Sequence, residues 1–447
     1  MTRLYKNKLH KYENKIKQLL SKNNNLKGGA EIVCDNNKYL CDKDTKNIGL
    51  CVDNITDCND NYDGYIETKF SMPEIIWSYD DTKEIEAYER AKQRGYNEEN
   101  LNTSCYIQTK TPREYNYDSV HESIIPDIFS IITLNVMGIY RPHKQSESVY
   151  EIMKLRVDLL TKYIIKYHPD ILCFQEMSVY FFELLYPKIK HIYPYVSEEN
   201  FVDQLKSNNE LDINTIVISK YKPIKVIVYE LKGNLNYPDT LIIVEFTNLI
   251  VFNCYCQAGS KSSGLTYLWM HFSRCRRQQY AYIKKLIKEY ENKPVIVLGD
   301  FNADLNSIND FPEIEELISY NEQEDKTKLY DSWVETNPHI DKIYGATENT
   351  DINTLRYNAK FQIKMYRYDA ILYTNNLKPM QSYIICDEPE IINNNDNNRH
   401  YENSFLNPQS LIDSRLKIIC KDETNHNIYD LFVSDHFGVF TMFCFNK

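Results

Sequence analysis

One short segment constrains the fold more than any other, an apolar run that ends in a turn with two polar residues. It reads Pro294-Val-Ile-Val-Leu298-Gly299-Asp300-Phe301-Asn302. A short unbroken apolar run is typical of a fully buried strand, and glycine allows the sharp turn after it. Because side chains alternate along an extended chain, Asp300 and Asn302 are predicted on one side and Phe301 on the other. Such a pair can hold a cation or a water, although Gly, Asp and Asn also favour ordinary turns.

The composition allows a large core and argues against several classes of protein. Of 447 residues, 43% are hydrophobic, which predicts one large domain or a domain with an extension. No apolar run reaches the length of a membrane span, and no secretory leader is visible. The formal net charge of −11 provides no global basic surface for binding nucleic acid.

Residues 1–30 are predicted to form a basic helical leader or tail. Apolar and aromatic residues recur at helical spacing, and the segment ends in Gly28-Gly29. A partly ordered tail is the alternative. The segment resembles the Lys- and Tyr-rich leaders ending in Gly-Gly that begin many proteins of giant DNA viruses. That resemblance implies packaging in a virion or removal of the leader, with the virion or the host cytoplasm as the location.

Residues 31–125 are predicted to form a Cys-containing acidic extension. Six residues separate Cys34 from Cys41 and Cys51 from Cys58. This spacing favours a small module held by two disulfides or by a metal. Zinc sites use shorter spacings, and disulfides would require an oxidising environment. Unpaired cysteines in an unstructured linker are the alternative.

Residues 126–447 carry the patterns of a catalytic domain. A helix is predicted with Met153, Val157 and Leu160 on one face, and a later helix with Tyr280 and Ile283 on one face. Between them, apolar segments beginning at residues 214, 224, 240 and 249 are predicted to be consecutive strands. Residues 385–430, rich in Asn and Asp, are predicted to be an insertion.

Five predicted strands in this domain end in polar side chains. These are Asn135, Glu176, Asp300 with Asn302, Asp369, and Asp435 with His436. Five polar strand ends indicate that the ends converge on one site. Carboxylate and amide oxygens without paired thiolates suit Mg²⁺ or Mn²⁺ rather than zinc. Beside Asp435, His436 is a candidate phosphate ligand.

These motifs, in this order, resemble the endonuclease/exonuclease/phosphatase superfamily, which includes DNase I-like nucleases, tyrosyl-DNA phosphodiesterases, sphingomyelinases and inositol-polyphosphate phosphatases. The resemblance covers residues 126–447. It implies an α/β protein with a four-layer α/β/β/α sandwich (DNase I-like), here preceded by the Cys-containing extension. It also implies a metal-dependent phosphoesterase that hydrolyses a phosphodiester by in-line attack of water.

The resemblance further implies a metal site and its ion. Glu176 would be the principal ligand of Mg²⁺ or Mn²⁺. Asn135 and Asp435 would contribute to the same ion directly or through water.

The catalytic roles follow from the same resemblance. Asp300 would orient or deprotonate the attacking water, and Asn302 would hold a phosphoryl oxygen. His436 would bind the scissile phosphate and stabilise its charge, while Asp369 would fix His436.

One residue departs from the pattern of many members. They carry Asn-x-His in the strand before the second helix, whereas this chain has Asn253-Cys254-Tyr255. Tyr255 would contact the phosphate, as in the apurinic-endonuclease branch, or pack in the core as strand tyrosines commonly do. The departure bears on the substrate more than on catalysis.

Local charge favours nucleic acid as the substrate. Between Cys254 and Lys288 there are Lys and Arg residues but no acidic residue. Arg274, Arg276 and Arg277 are predicted to lie in a loop ahead of the helix, among aromatic residues, which suits a polyanion with stackable bases. The apolar residues of that loop could instead contact a membrane, as a lipid phosphoesterase of the sphingomyelinase or inositol-phosphatase type would require. A third hypothesis is a non-catalytic virion protein that keeps the fold, although the retained Glu176 argues against it.

Overall fold

The computed structural model describes the greater part of the chain beyond residue 111. The described residues are 39–40, 51–52, 112–117, 123–138, 147–197, 214–234, 237–259, 266–318, 326–350, 352–353, 355, 364–393, 418–421 and 427–446. The predictions for the leader at 1–30 and for the pairing of Cys34, Cys41 and Cys58 lie outside them. The chain divides into two compact units, Met1–Tyr79 and Asp80–Lys447.

The first unit is described through one antiparallel pair of strands, β1 (Tyr39–Leu40) and β2 (Cys51–Val52). The second unit contains the other described elements. Its first strands are β3 (Arg113–Asn116), β4 (Ile128–Asn135), β5 (Ile171–Met177), β6 (Tyr195–Val196), β7 (Asn214–Ser219), β8 (Lys225–Asn234), β9 (Tyr237–Glu245), β10 (Ile250–Tyr255) and β11 (Val295–Asp300).

The later strands follow the same numbering. They are β12 (Tyr330–Asp331), β13 (Glu348–Asn349), β14 (Met365–Tyr366), β15 (Asp369–Tyr373), β16 (Leu377–Ile385), β17 (Glu390–Asn393), β18 (Ile418–Lys421), β19 (Asn427–Leu431) and β20 (Gly438–Phe445). The helices are α1 (Glu147–Tyr167), α2 (Val179–Ile189), α3 (Thr266–Lys288) and α4 (Ser332–Thr336), with 3-10 helices at Pro312–Glu316 and Lys342–Gly345.

Two large sheets form the second unit. One has the strand order β12-β15-β11-β10-β9-β8-β3, and the other has the order β16-β20-β4-β5-β7-β6. Each sheet contains one parallel pair whose strands are joined through a long helix, β4 and β5 through α1, and β10 and β11 through α3. Both crossovers therefore bring the carboxyl end of a buried strand to the same edge as that of its neighbour.

The apolar clusters confirm the predicted four layers. One cluster, with Phe129, Val251 and Leu298, lies between the two sheets. A second joins α1 and α2 to the outer face of the six-stranded sheet, and a third joins α3 to the outer face of the seven-stranded sheet. Met153, Val157, Leu160, Tyr280 and Ile283 are buried as their helical spacing predicted.

Strand β3 changes the predicted start of the domain. It pairs with β8 at the edge of the seven-stranded sheet, with Glu114 opposite Ile227. Tyr115 and Tyr117 pack against the cluster between the sheets. The sheet therefore begins at Arg113 rather than after the predicted boundary at residue 126.

The predicted insertion at 385–430 overlaps a separate small sheet with the order β17-β19-β18. Helix α3 begins at Thr266, earlier than its predicted apolar face suggested. None of the described helices combines the length and the apolar character that crossing a membrane requires.

Candidate active site

Glu176 lies near the end of β5, where the strand departs from regular pairing. The register of β5 against β7 shifts between Phe174 and Met177. Glu176 has a φ of 52°, in the left-handed region that non-glycine residues rarely adopt. Its carboxylate oxygen Oε1 accepts a hydrogen bond from Asn135 Nδ2 at 3.1 Å and another from the hydroxyl of Tyr255 at 2.8 Å. Three strands of the two sheets therefore meet at this carboxylate.

Backbone strain is concentrated at the same place. Of the described non-glycine residues with positive φ, Met137 (44°), Glu176 (52°) and Asn302 (53°) adjoin the converging strand ends, whereas His168 and Cys386 lie elsewhere. Strained residues persist only where the surroundings hold them, and they cluster at functional sites.

Asn135 connects the two sheets. Its amide nitrogen also donates to Asp300 Oδ2 at 3.0 Å, so one carboxamide links Glu176 to Asp300. Its oxygen accepts from the backbone N–H of Met137 at 3.0 Å, which fixes the orientation of the amide. Asn135 therefore faces the site with a donor, whereas the family resemblance implied that it contributes to the metal site directly or through water.

Strand β11 ends at Asp300, and Asn302 follows in a left-handed turn rather than in extended chain. Asp300 Oδ1 accepts from the backbone N–H of Asn302 at 2.8 Å, and Phe301 is buried in the core under α3. Asn302 Nδ2 donates to the carbonyl of Cys256 at 2.9 Å. At Gly299 a Cβ atom would lie 1.9 Å from the carbonyl oxygen of Cys254, and the φ of 133° also requires glycine.

His436 is paired with Asp369 inside the site. Asp369 Oδ2 lies 2.8 Å from His436 Nδ1, and both side chains are buried. Asp369 is also the cross-strand backbone partner of Asp300. The pairing of β11 with β15 holds Asp300 beside Asp369, and the hydrogen bond to Asp369 adds His436. We call these three residues the His436 group.

We call Glu176, Asn135, Tyr255 and Asp435 the Glu176 group. Burial, reinforced by the charge of Asp435, raises the pKa of Glu176, although the hydrogen bonds from Asn135 and Tyr255 oppose that rise. The donors on its carboxylate are an amide and a hydroxyl, both neutral. The charge of His436 also opposes the rise in the pKa of Glu176.

The His436 group compensates part of its own charge. Burial lowers the pKa of His436, but the charge and hydrogen bond of Asp369, together with Asp300 and Asp435, raise it well above the ordinary value. Burial and the charge of Asp369 raise the pKa of Asp300 to about 8. Asp369, which contacts the imidazole directly, is thus the largest cause that favours its protonated form.

Two observations bear on where a divalent cation fits. Potential ligand atoms of Asp300, Asp369 and His436 lie within 4.8 Å of one another. The oxygen Oδ1 of Asp369 is buried and has no hydrogen-bond partner among the described residues. The carboxylate of Glu176 is a further hard candidate ligand, and both of its hydrogen-bond donors are neutral.

A buried polar contact below the site was not predicted from the sequence. Gln175 Nε2 donates to Asn253 Oδ1 at 2.7 Å and to the hydroxyl of Thr133 at 3.0 Å. Asn253 Nδ2 in turn donates to two carbonyls of the six-stranded sheet. These bonds cross the space between the sheets directly beneath Glu176 and Tyr255. A polar residue within an apolar strand, as at 175 and 253, is the signal that could have indicated them.

Two further residues support the site from outside the predicted motifs. Thr347 Oγ1 accepts from the backbone N–H groups of Tyr368 and Asp369, and nothing in the sequence around it indicates this role. Arg156 is buried on α1 and donates to the carbonyls of Val433 and Met137, at 2.8 and 3.2 Å. Its position on the apolar face of the predicted helix was an available signal.

The structure corrects the predicted substrate-binding arginines. Arg274, Arg276 and Arg277 lie within α3 and not in a loop ahead of it. Arg276 is fully buried, and its Nη2 lies 2.7 Å from Oε1 of Glu313. Arg277 is exposed, whereas the side chain of Arg274 lies outside the described set. Arg276 is therefore unavailable to a substrate, because its charge is paired in the core.

Comparison with known families identifies one match. The sequence model of the endonuclease/exonuclease/phosphatase family matches residues 132–436. The matched region begins in β4, which ends at Asn135, and it ends at His436. No curated protein sequence matches the chain.

Several solved structures are similar to this chain. TDP2 from C. elegans is 15% identical, with 71% of this chain and 75% of that chain covered and a TM-score of 0.45. D. rerio TDP2, in complex with a single-strand DNA product, is 16% identical, with 72% and 99% covered and a TM-score of 0.45. A beta toxin from Staphylococcus aureus is 15% identical, with 70% and 99% covered and a TM-score of 0.44.

Proposed function

Because this chain belongs to the endonuclease/exonuclease/phosphatase family, whose members are phosphoesterase hydrolases, we propose that it hydrolyses a phosphodiester with the help of a divalent cation. The observation that carries the proposal is the hydrogen-bonded series from Tyr255 through Glu176 and Asn135 to Asp300. Asp369 and His436 extend it through strand pairing and a hydrogen bond. Side chains from six separate segments thus form one polar cluster at one end of the two sheets.

Glu176 and Asp435 would hold Mg²⁺ or Mn²⁺. Both are hard carboxylate ligands, and the charge of Asp435 acts on Glu176, which indicates that they are close. The bound cation would offset charge on a phosphoryl oxygen. Asn135 orients Glu176 and Asp300 through its two donor hydrogens, and Tyr255 fixes the Glu176 carboxylate from the opposite sheet.

Asp300 and His436 act on the attacking water and on the phosphate. Asp300 is held by two hydrogen bonds, and its raised pKa suits a group that takes a proton near neutral pH. His436 presents a protonated ring whose orientation Asp369 fixes. That charge would stabilise the phosphate as the fifth oxygen arrives. The carboxamide of Asn302 would hold a phosphoryl oxygen beside them.

Nucleic acid is the substrate class that we propose. After the correction for Arg276, the support is the remaining excess of positive charge between Cys254 and Lys288, which includes the exposed Arg277. Tyr344 adds an aromatic side chain that is 49% exposed, three residues ahead of Thr347, on which bases could stack. The bond cleaved would be a phosphodiester within a strand or one that links a strand to tyrosine.

A substrate panel with Mg²⁺ tests the proposal. It contains single- and double-stranded DNA, RNA, an oligonucleotide with tyrosine on its terminal phosphate, sphingomyelin vesicles and inositol phosphates. We expect cleavage of an oligonucleotide that chelator abolishes and Mg²⁺ restores. Full activity in excess chelator would refute metal dependence. If only the sphingomyelin vesicles are cleaved, the substrate class is a lipid and not nucleic acid.

The exposed arginine provides a second measurement. Arg277→Ala should weaken oligonucleotide binding and flatten its dependence on salt, because fewer counterions are released from the phosphates. Lys166→Ala is the control, since Lys166 lies on α1 and not on α3. Equal effects of the two variants would show that α3 does not contact the nucleic acid.

A further inference from the structure

One face of α3 contacts the two loops that follow β10 and β11. Arg276, Gln279 and Tyr280 lie within one turn of the helix, and all three are buried. Residues three or four positions apart share a helix face, so these side chains point to one side. Each of the three side chains hydrogen-bonds to loop backbone.

In the loop after β10, both the carbonyl and the N–H of Gln257 are hydrogen-bonded to side chains of α3. Arg276 Nη1 donates to the carbonyl of Gln257 at 3.0 Å, and the oxygen Oε1 of Gln279 accepts from the N–H of Gln257 at 2.9 Å. Arg276 Nη1 also donates to the carbonyl of Gly259 at 2.7 Å. Buried backbone groups of a loop have no strand partners, so these side chains replace the missing hydrogen bonds.

A second contact reaches the turn that carries Asp300 and Asn302. The hydroxyl of Tyr280 donates to the carbonyl of Phe301 at 2.6 Å. The two loops also bond to each other, since Cys256 N–H donates to Asp300 O and Asn302 Nδ2 donates to Cys256 O, both at 2.9 Å. The carbonyl of Cys256 therefore positions the carboxamide of Asn302. Helix α3 in turn holds the loop that contains Cys256.

The guanidinium that holds this loop is itself held in place. Arg276 Nε donates to Glu313 Oε1 at 2.8 Å, and Ser273 Oγ donates to Glu313 Oε2 at 2.7 Å. Glu313 lies in the 3-10 helix Pro312–Glu316 and is fully buried. A buried ion pair is weak evidence for stability, because an apolar pair of similar volume often stabilises a protein equally well. Its hydrogen bonds to the loop require another explanation.

We propose that Arg276 and Gln279 are positioning residues that set the carboxamide of Asn302 against the phosphate by holding Gln257 and Gly259. The proposal rests on the proposed function, in which Asn302 holds a phosphoryl oxygen. The guanidinium of Arg276 then positions the loop through hydrogen bonds and does not attract the substrate.

The test uses the full chain, Mg²⁺ and the small diester bis(p-nitrophenyl) phosphate, which does not need the wider substrate surface. The variants are Gln279→Leu and the double variant Arg276→Met with Glu313→Leu, which removes the ion pair without leaving a buried charge. We expect each to keep a cooperative thermal transition and to lower kcat about tenfold or more, with KM little changed. Gln278→Leu is the matched control, because Gln278 is exposed on the same helix, and its kcat should equal that of the wild type.

A double-mutant cycle separates positioning from general loosening. In the background of Asn302→Ala, Gln279→Leu should lower kcat far less than it does alone, since both act through the same carboxamide. Additive losses, or an unchanged kcat in a folded Gln279→Leu variant, would overturn the proposal. If the double variant fails to fold, the kcat of the Gln279→Leu variant still tests the proposal. If the wild type does not hydrolyse the diester, the proposed function is refuted. That result is distinguishable from a failure of the positioning proposal, in which the wild type is active.

Discussion

The Glu176 group and the His436 group lie at the same end of the sandwich but handle charge in different ways. In the His436 group, two buried carboxylates lie beside an imidazole whose pKa they raise, so the group supplies a cation of its own. In the Glu176 group, the carboxylate receives hydrogen bonds from an amide and a hydroxyl, both neutral. The proposed function uses this difference, with the divalent cation at Glu176 and with His436 acting on the phosphate.

The strongest test of that difference is Glu176→Gln, which keeps the shape of the side chain and removes its charge. We expect turnover to fall by roughly a thousandfold or more and the Mg²⁺ concentration for half-maximal activity to rise, because the principal ligand is lost. Activity measured across a Mg²⁺ titration checks this. Glu291→Gln, at an exposed position, is the control. An unchanged Mg²⁺ requirement would place the cation elsewhere.

The next test concerns Asp300→Asn and His436→Ala. Each should lower kcat roughly 100-fold or more while the Mg²⁺ requirement stays near that of the wild type, since these groups act in the transition state. Steady-state kinetics at saturating Mg²⁺ measures both effects. A loss that appears only in KM would make them substrate-binding residues. A large rise in the Mg²⁺ requirement would move the cation into the His436 group.

A smaller effect is expected from Asp369→Asn, which removes a charge next to His436. His436 is cationic below its raised pKa and loses that charge as pH rises through it. Without Asp369 the pKa falls, so the alkaline limb of the kcat profile should move to lower pH, with kcat at neutral pH reduced about tenfold. A pH profile of kcat checks the shift. If the alkaline limb does not move, it reflects the titration of a group other than His436.

The smallest effect should follow Tyr255→Phe, which removes one hydrogen bond to Glu176. We expect a change of only a few-fold in the Mg²⁺ requirement, as one hydrogen bond contributes about 1 kcal/mol. Tyr290→Phe is a matched control, because Tyr290 donates to Glu245 at the same distance of 2.8 Å away from the site. A large loss of kcat at constant Mg²⁺ requirement would show that Tyr255 contacts the phosphate itself.

What the sequence could predict here was local. The buried strand before Gly299 and the burial of Phe301 follow from the apolar run and from strand alternation, and the structure agrees with both, whereas Asn302 lies beyond the strand in a left-handed turn. The convergence of the strand ends followed from the polar residues that come after five separate apolar runs. The direction of the Asn135 amide did not, because it depends on Met137 nearby and on Asp300, which is 165 positions away.

Arg276 shows why the remaining features could not be predicted. A count of charges between Cys254 and Lys288 finds no acidic residue, so this arginine looks available to a polyanion. Its partner Glu313 lies 37 positions further along the chain, outside that interval. Charge patterns identify solvent-exposed ions reliably only when no tertiary partner exists. The start of the sheet at Arg113 was missed for the same reason, since its pairing with β8 spans a long separation.

The position of β20 has a consequence for how the molecule is made. This strand lies inside the six-stranded sheet, between β16 and β4, although it is synthesised after both. Until translation has passed residue 445, the edge of β4 that β20 covers is unpaired. A nascent chain therefore cannot assemble the six-segment site during most of its synthesis. Over the same period it exposes an unpaired sheet edge that can pair with another chain. The six-segment polar cluster and the covered edge of β4 are therefore completed in the same step, when β20 inserts.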